Sequence, residues 1–180
     1  MSSRGLLLAV SVVLAVSGVA RAEPKKDKGV AAGIINTFPN CDLVADNLVT
    51  NCGFETGDFT GWTQSGDTSS TFVDGNPHSG SFAANLGPTG HLGLLSQSIP
   101  TAGFTSCTLS FWISSSSRPA EFEVWWNQSR LTQIVNVPDM AYTQMSYRFL
   151  VPGGSSTDLT FAFFNLPSYI YLDDVVVECI

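Results

Sequence analysis

The feature that most narrows what this chain can fold into is the alternation of its apolar residues. Through short runs, large hydrophobic side chains recur at every second position, and each run is closed by Gly, Pro, Asn, Asp or Ser. Successive side chains on a strand point to opposite faces, so this period with this punctuation specifies half-buried strands. About ten are predicted: Leu48 to Glu55, Thr68 to Val73, Ser81 to Leu86, Gly93 to Ile99, Cys107 to Ser114, Ala120 to Asn127, Arg130 to Asn136, Tyr142 to Val151, Asp158 to Leu166 and Tyr169 to Cys179. Helical folds fail on the density of Gly, Ser, Thr and β-branched residues.

Alternation also sorts the faces. Cys107, Leu109, Phe111 and Ile113 are expected inward, with Thr108, Ser110, Trp112 and Ser114 outward. Phe122, Val124 and Trp126 go inward, leaving Glu121, Glu123, Trp125 and Asn127 outside. Met145, Tyr147, Phe149 and Val151 oppose Gln144, Ser146 and Arg148, and Leu159, Phe161 and Phe163 oppose Phe164. In the last run Asp173 is expected to share the face of Val175, Val177 and Cys179, opposite Asp174 and Glu178. One apolar and one mixed face per strand predicts an all-β jelly-roll sandwich of two antiparallel sheets.

Charge excludes whole classes of partner. The chain carries 8 Lys+Arg and 15 Asp+Glu, yet beyond residue 28 its only cations are Arg118, Arg130 and Arg148, whereas only Glu23 and Asp27 of its acids precede that point. So acidic a body repels a phosphate backbone and an anionic membrane surface, which sets nucleic acid aside as a partner. The basic charges cluster near the N-terminus. Arg4, the apolar stretch Leu6 to Ala20 and the small-x-small Ala20-Arg21-Ala22 have the form of a signal peptide, residues 1–22, cleaved after Ala22. Fifteen or so apolar residues fall short of the roughly 20 that span hydrocarbon, so no membrane span is expected after cleavage. Residues 23–40 read as a flexible tail, and one domain occupies residues 41–180. The expected location is secreted, either periplasmic or extracellular.

Export makes Cys41, Cys52, Cys107 and Cys179 disulfide candidates. Four cysteines allow three pairings. The favoured one joins Cys41 to Cys52 and Cys107 to Cys179, the latter two each sharing a strand face with large apolar residues. No Cys-x-x-Cys or His-x-His spacing suggests zinc.

The outward residues supply the candidate binding site. Trp125, flanked on its face by Glu123 and Asn127, can stack on a pyranose ring while its polar neighbours bind hydroxyls. Phe164, Gln144, Arg148, Trp112 and Tyr142 join it if their strands fall in the same sheet. Glu121 and Glu123 lie at the i, i+2 separation of about 7 Å, compatible in distance with a glycosidase pair, but two acids followed by Val and Trp make a poor acid cluster. His78 and His91 sit in Gly/Pro loops, with no Gly-x-Ser-x-Gly or His-Glu-x-x-His, so no enzyme is expected. Asn127-Gln128-Ser129 is formally a glycosylation acceptor.

Three stretches resemble one family. Asn47-Leu-Val-Thr-Asn-Cys-Gly-Phe-Glu55, followed by Thr-Gly-Asp-Phe-Thr-Gly-Trp62, is similar to the opening "N-L-x-x-N-G-x-F-E... G-W" of family 4/9 and family 22 type carbohydrate-binding modules, which are galactose-binding-like jelly rolls. His78-Ser-Gly-Ser-Phe-Ala-Ala84 resembles their "H-S-G-x-x-A" strand, and Tyr171-Leu-Asp-Asp-Val175 their closing "Y-L-D-D-V". The likeness spans about Asn47 to Val177 and puts Cys52 where those modules usually have Gly. It implies a core position for Trp62 and a structural calcium ion held by Glu55, by Asp173 or Asp174, and by carbonyl oxygens around Ser79 to Ser81. It also implies a non-catalytic module that recognises a polysaccharide or surface glycan. The alternative is an extracellular structural or adhesive protein that uses the same sandwich to contact other proteins.

Overall fold

A computed structural model describes residues 40–87, 90–116, 120–165 and 169–180. The expected signal peptide, the tail apart from Asn40, and Arg118 and Leu166 lie outside the described residues.

Among the described residues, ten strands form two antiparallel five-stranded sheets packed face to face. They are β1 (Thr63–Gly66), β2 (Phe72–Asp74), β3 (Ala83–Leu86), β4 (Gly93–Pro100), β5 (Ser106–Ser115), β6 (Ala120–Trp126), β7 (Ser129–Val135), β8 (Met140–Leu150), β9 (Ser156–Asn165) and β10 (Ile170–Cys179). The first sheet runs β1-β4-β9-β6-β7 and the second β2-β3-β10-β5-β8. Among the described residues there is no α-helix, only a 3-10 turn at Cys41–Leu43.

The inward faces are those the alternation specifies. Leu109, Phe111, Ile113, Phe122, Val124, Leu159, Phe161 and Phe163 are all buried. Phe161 is the hub: its ring centroid lies 5.2 Å from Phe111, edge to face, and 5.7 Å from Phe122, stacked. Trp126 also points inward, 4.4 Å from Phe149. Such aromatic pairs add to simple burial, so this layer anchors the two sheets to each other.

The expected strand Leu48 to Glu55 is instead a run of turns. Asn51 and Phe54 take positive φ of 51° and 59°, and the segment is fixed by side chains. Gln97 on β4 bonds both ways to Thr50, accepting its N–H at 2.8 Å and donating to its C=O at 2.9 Å. Asn47 Oδ1 accepts the N–H of Val177 at 2.9 Å, and Leu48 N–H donates to Val177 C=O at 2.9 Å. The opening motif therefore clamps the side of β10. Strand β1 at Thr63–Gly66, which is fully exposed, takes the tenth place.

Both disulfides form as favoured. Cys41–Cys52 fastens the 3-10 turn to the opening motif, and Cys107–Cys179 joins residues directly opposed on β5 and β10, with Cα atoms 4.1 Å apart.

The assignment of faces fails at one place on β10. Asp173 pairs with Trp112 and Val176 with Ser110, a bulge that leaves an extra residue between them. Asp174, at φ 48°, absorbs it. Because a bulge reverses parity, Asp173 faces outward with Trp112 and Ser110, while Val177 and Cys179 remain on the core face with Leu109 and Cys107.

Candidate functional site

The outer face of the first sheet is built from β6 outward. Trp125 is opposite Thr160 of β9, Thr160 is opposite Ser96 of β4, and Ser96 is opposite Thr63 of β1. The Ser96 and Thr160 hydroxyls are 2.8 Å apart. Beside this row runs a second one, Glu123, Ala162, Leu94 and Ser65. The result is an indole beside a shelf of small and hydroxyl side chains, about 14 Å across four strands.

Trp125 is held in place. Its Nε1–H donates to Glu123 Oε2 at 2.7 Å, Arg130 donates to Glu123 Oε1 at 2.9 Å, and the Arg130 guanidinium lies 5.7 Å from the indole centroid. Glu123, expected in the open, is buried to 8% side-chain exposure beneath this cluster, whereas Arg130 keeps 44%. Alongside, Gln133 of β7 donates to Glu121. Both carboxylates of the candidate acid pair thus serve as hydrogen-bond acceptors.

Arg130 was not singled out by sequence reasoning. Strict alternation along β7 places it on the face of Ile134, toward the core. A bulge intervenes: Val124 pairs with Thr132 and Trp125 with Arg130, leaving Leu131 extra and turning Arg130 outward onto Trp125. The signal was present, because an arginine in phase with a core isoleucine has to be re-aimed.

The other predicted ligand residues separate. Phe164 is on the same face but four positions along β9, opposite Glu121, about 13 Å from the Trp125 row. Asn127 is exposed in the β6–β7 turn at φ 55°, where Asn is favoured, and its N–H donates to Asp158 C=O at 2.7 Å. Trp112, Gln144 and Arg148 belong to the second sheet, Trp112 opposite Gln144 and Arg148 opposite Thr108. They cannot share a surface with Trp125. Trp112 is moreover covered: the His78 ring stacks on it at 3.8 Å.

That stacking is part of a clasp formed by the β2–β3 loop over the second sheet. Tyr142 donates its hydroxyl to Asn76 C=O at 2.6 Å, and burial, with Asp173 adding to it, pushes that hydroxyl's pKa upward, so it remains a donor. The N–H groups of His78 and Ser79 donate to Asp173 Oδ2 at 2.7 and 3.1 Å. Asp174 accepts the Ser79 hydroxyl at 2.8 Å and the Cys41 N–H at 3.0 Å, and its Oδ2 is 2.7 Å from His78 Nδ1. Glu55 accepts the N–H of Ser81 at 2.9 Å and of Phe82 at 3.1 Å. Its carboxylate occupies the hollow over Gly80, at φ +67°, where a Cβ would collide with it.

Glu55, Asp173, Asp174, Ser79 and Ser81 are thus brought to one turn. The turn meets the acids with N–H donors, and those of Ser81 and Phe82 form an anion nest whose anion is Glu55. Burial, then the neighbouring Asp174, push the Asp173 carboxyl up to about 8 against the N–H bonds it accepts. The carboxylate oxygens that would face a calcium ion are hydrogen-bonded to this turn and to Cys41.

No protein-family model and no curated protein matches the sequence. Solved structures do match in fold. The module TmCBM61, in complex with beta-1,4-galactotriose, superposes at a TM-score of 0.65 with 19% identity, covering 74% of this chain and 99% of that one. The CBM22-1 xylan-binding domain of Paenibacillus barcinonensis Xyn10C gives 0.52 with 15% identity, covering 71% and 90%. A family 4 module gives 0.50 with 14% identity, covering 73% and 99%. At these identities the likeness is one of architecture. The chain has the jelly-roll fold of the family 61, family 22 and family 4 carbohydrate-binding modules.

Proposed function

We propose that this chain is an exported, non-catalytic carbohydrate-binding module that takes a polysaccharide or surface glycan on the outer face of the first sheet. The observation that carries the reading is the partly buried Trp125, fixed by Glu123 and Arg130 at the side of a shelf lined by Thr160, Ser96 and Thr63. A fixed indole offers an apolar plane to the C–H face of a pyranose at little entropic cost, and the hydroxyls, Gln133 and the exposed part of Arg130 offer partners for sugar hydroxyls. Solved structures of the same fold bound to galactotriose, or described as xylan-binding, support the choice of ligand class. The engagement of Glu121 and Glu123 as acceptors supports a binding role over hydrolysis. The paired disulfides support an oxidising, extracellular setting.

A glycan array followed by calorimetry on the best ligand tests this. Binding is expected to fall at least tenfold in Trp125→Ala and to be unaffected in Trp112→Phe, on the opposite sheet. Retention of no glycan by the wild type, or equal binding by Trp125→Ala, refutes it.

A further inference from the structure

The sandwich presents four edge strands, and three of them are blunted. Strand β1 has four residues and ends at Gly66, β2 has three, and β7 is broken by its bulge at Leu131 and carries Arg130. Natural sheets use short, bulged or charged edges to prevent pairing with other chains. Strand β8 is bulged only at its start, between Met140 and Thr143, and from Thr143 to Leu150 it pairs regularly with β5. It runs eleven residues, Met140–Leu150, paired to β5 on one side and to no described strand on the other. It has no Pro, Gly, Lys or carboxylate, and its single charge is Arg148.

The sandwich is also open along this edge. Met145, Tyr147 and Phe149 point inward yet stay half-buried, while Phe111, Leu109 and Cys107 opposite them on β5 are fully buried. Leu150 is 79% exposed, at a shallow cleft lined by Ser106, Arg148 and Phe149.

We propose that β8 is a dimerisation edge: a second copy of the chain adds its own β8 antiparallel, joining two five-stranded sheets into one of ten. A two-fold axis at Met145 makes the strand complementary to itself. Gln144 then meets Ser146 and Thr143 meets Tyr147, all within the regular part of the strand. Arg148 falls opposite the Tyr142 ring, which attracts it, and no charge faces its like. Elsewhere the chain is so acidic that copies repel each other. A carboxylate-free strand bearing one cation is where that repulsion is weakest.

Sedimentation equilibrium of the mature chain from micromolar to millimolar concentration, with hydrogen exchange of the β8 amides, tests the proposal. A monomer–dimer equilibrium is expected, with β8 amides protected only in the dimer. Gln144→Lys with Ser146→Lys sets like charges opposite each other on both sides of the axis and should weaken association at least tenfold without lowering the melting temperature of the monomer. The Glu pair at the same positions should do the same, and an equimolar mixture of the two variants should restore a heterodimer. A wild type that stays monomeric, whether its β8 amides are open or covered by another segment, overturns the proposal, as does a mixture that fails to associate. Glycan binding by the Lys variant should match the wild type, so failure here and failure of the carbohydrate reading are separate results.

Discussion

At the scale of single residues, two adjacent tryptophans have opposite roles. Trp126 is buried against Phe149, so Trp126→Ala should cost about 3–5 kcal/mol in chemical denaturation, the usual consequence of emptying an aromatic site. Trp125→Ala should cost about 1 kcal/mol or less in the same experiment, and show its effect in glycan affinity instead. Alternation made this distinction legible, because neighbouring strand residues cannot share a face. It could not reveal that Glu123 would be buried under Trp125 and Arg130, since the bulge that turns Arg130 outward breaks the regular count. Asp173 was misplaced for the same reason. Its carboxyl is raised from 3.8 to about 8, so between those pH values the folded state holds a proton that the unfolded state has released. The contribution of Asp173 is therefore complete below about pH 4 and is lost as pH rises through about 8. Thermal melts across that window should show declining stability, and Asp173→Asn should flatten the slope; an equal slope in the variant would remove Asp173 as its source.

At the scale of elements, the second sheet is tied by a cross-link and a clasp as well as by strand pairing. Cys107–Cys179 closes a sequence separation of 72 and Cys41–Cys52 one of 11. Loop entropy predicts that Cys107→Ala with Cys179→Ala costs about 4 kcal/mol and that the other pair costs less, measured by denaturant midpoints. The ordering follows from loop length in either pair's absence. The clasp gives a second prediction. Glu55, Asp173 and Asp174 have their acceptors filled by the 78–82 turn and Cys41, so EDTA should leave the melting temperature unchanged and added calcium should not raise it. A chelator-induced drop would show an ion displacing those donors. The motif residues and their convergence were legible in the sequence. The direction of the turn's N–H groups was not, because residue identity does not report which way a peptide plane faces. Nor did sequence divide the strands between sheets: Trp112, Gln144 and Trp125 look equivalent by alternation and prove to lie on opposite sides of the molecule.

At the scale of the whole molecule, charge governs association. With 15 acids against 8 bases, and most of those bases near the N-terminus, two copies approach against a long-range repulsion that salt screens within about 10 Å at 0.1 M. The β8-mediated dimer should therefore tighten as sodium chloride is raised from low concentration toward 0.5 M, the reverse of an interface held by ion pairs. Sedimentation at two salt concentrations decides this.

The position of β10 in its sheet has a consequence for the timing of folding. This strand, which follows the other described strands in sequence, lies in the middle of the β2-β3-β10-β5-β8 order and carries the contacts that hold Asn47 and Leu48 at the start of the domain. A polypeptide that emerges from its N-terminus can therefore assemble that layer only as two separate strand pairs, β2-β3 and β5-β8, until β10 arrives. The keystone of the layer is delivered after the strands it joins, which makes deletion of β10 more damaging than loss of an edge strand.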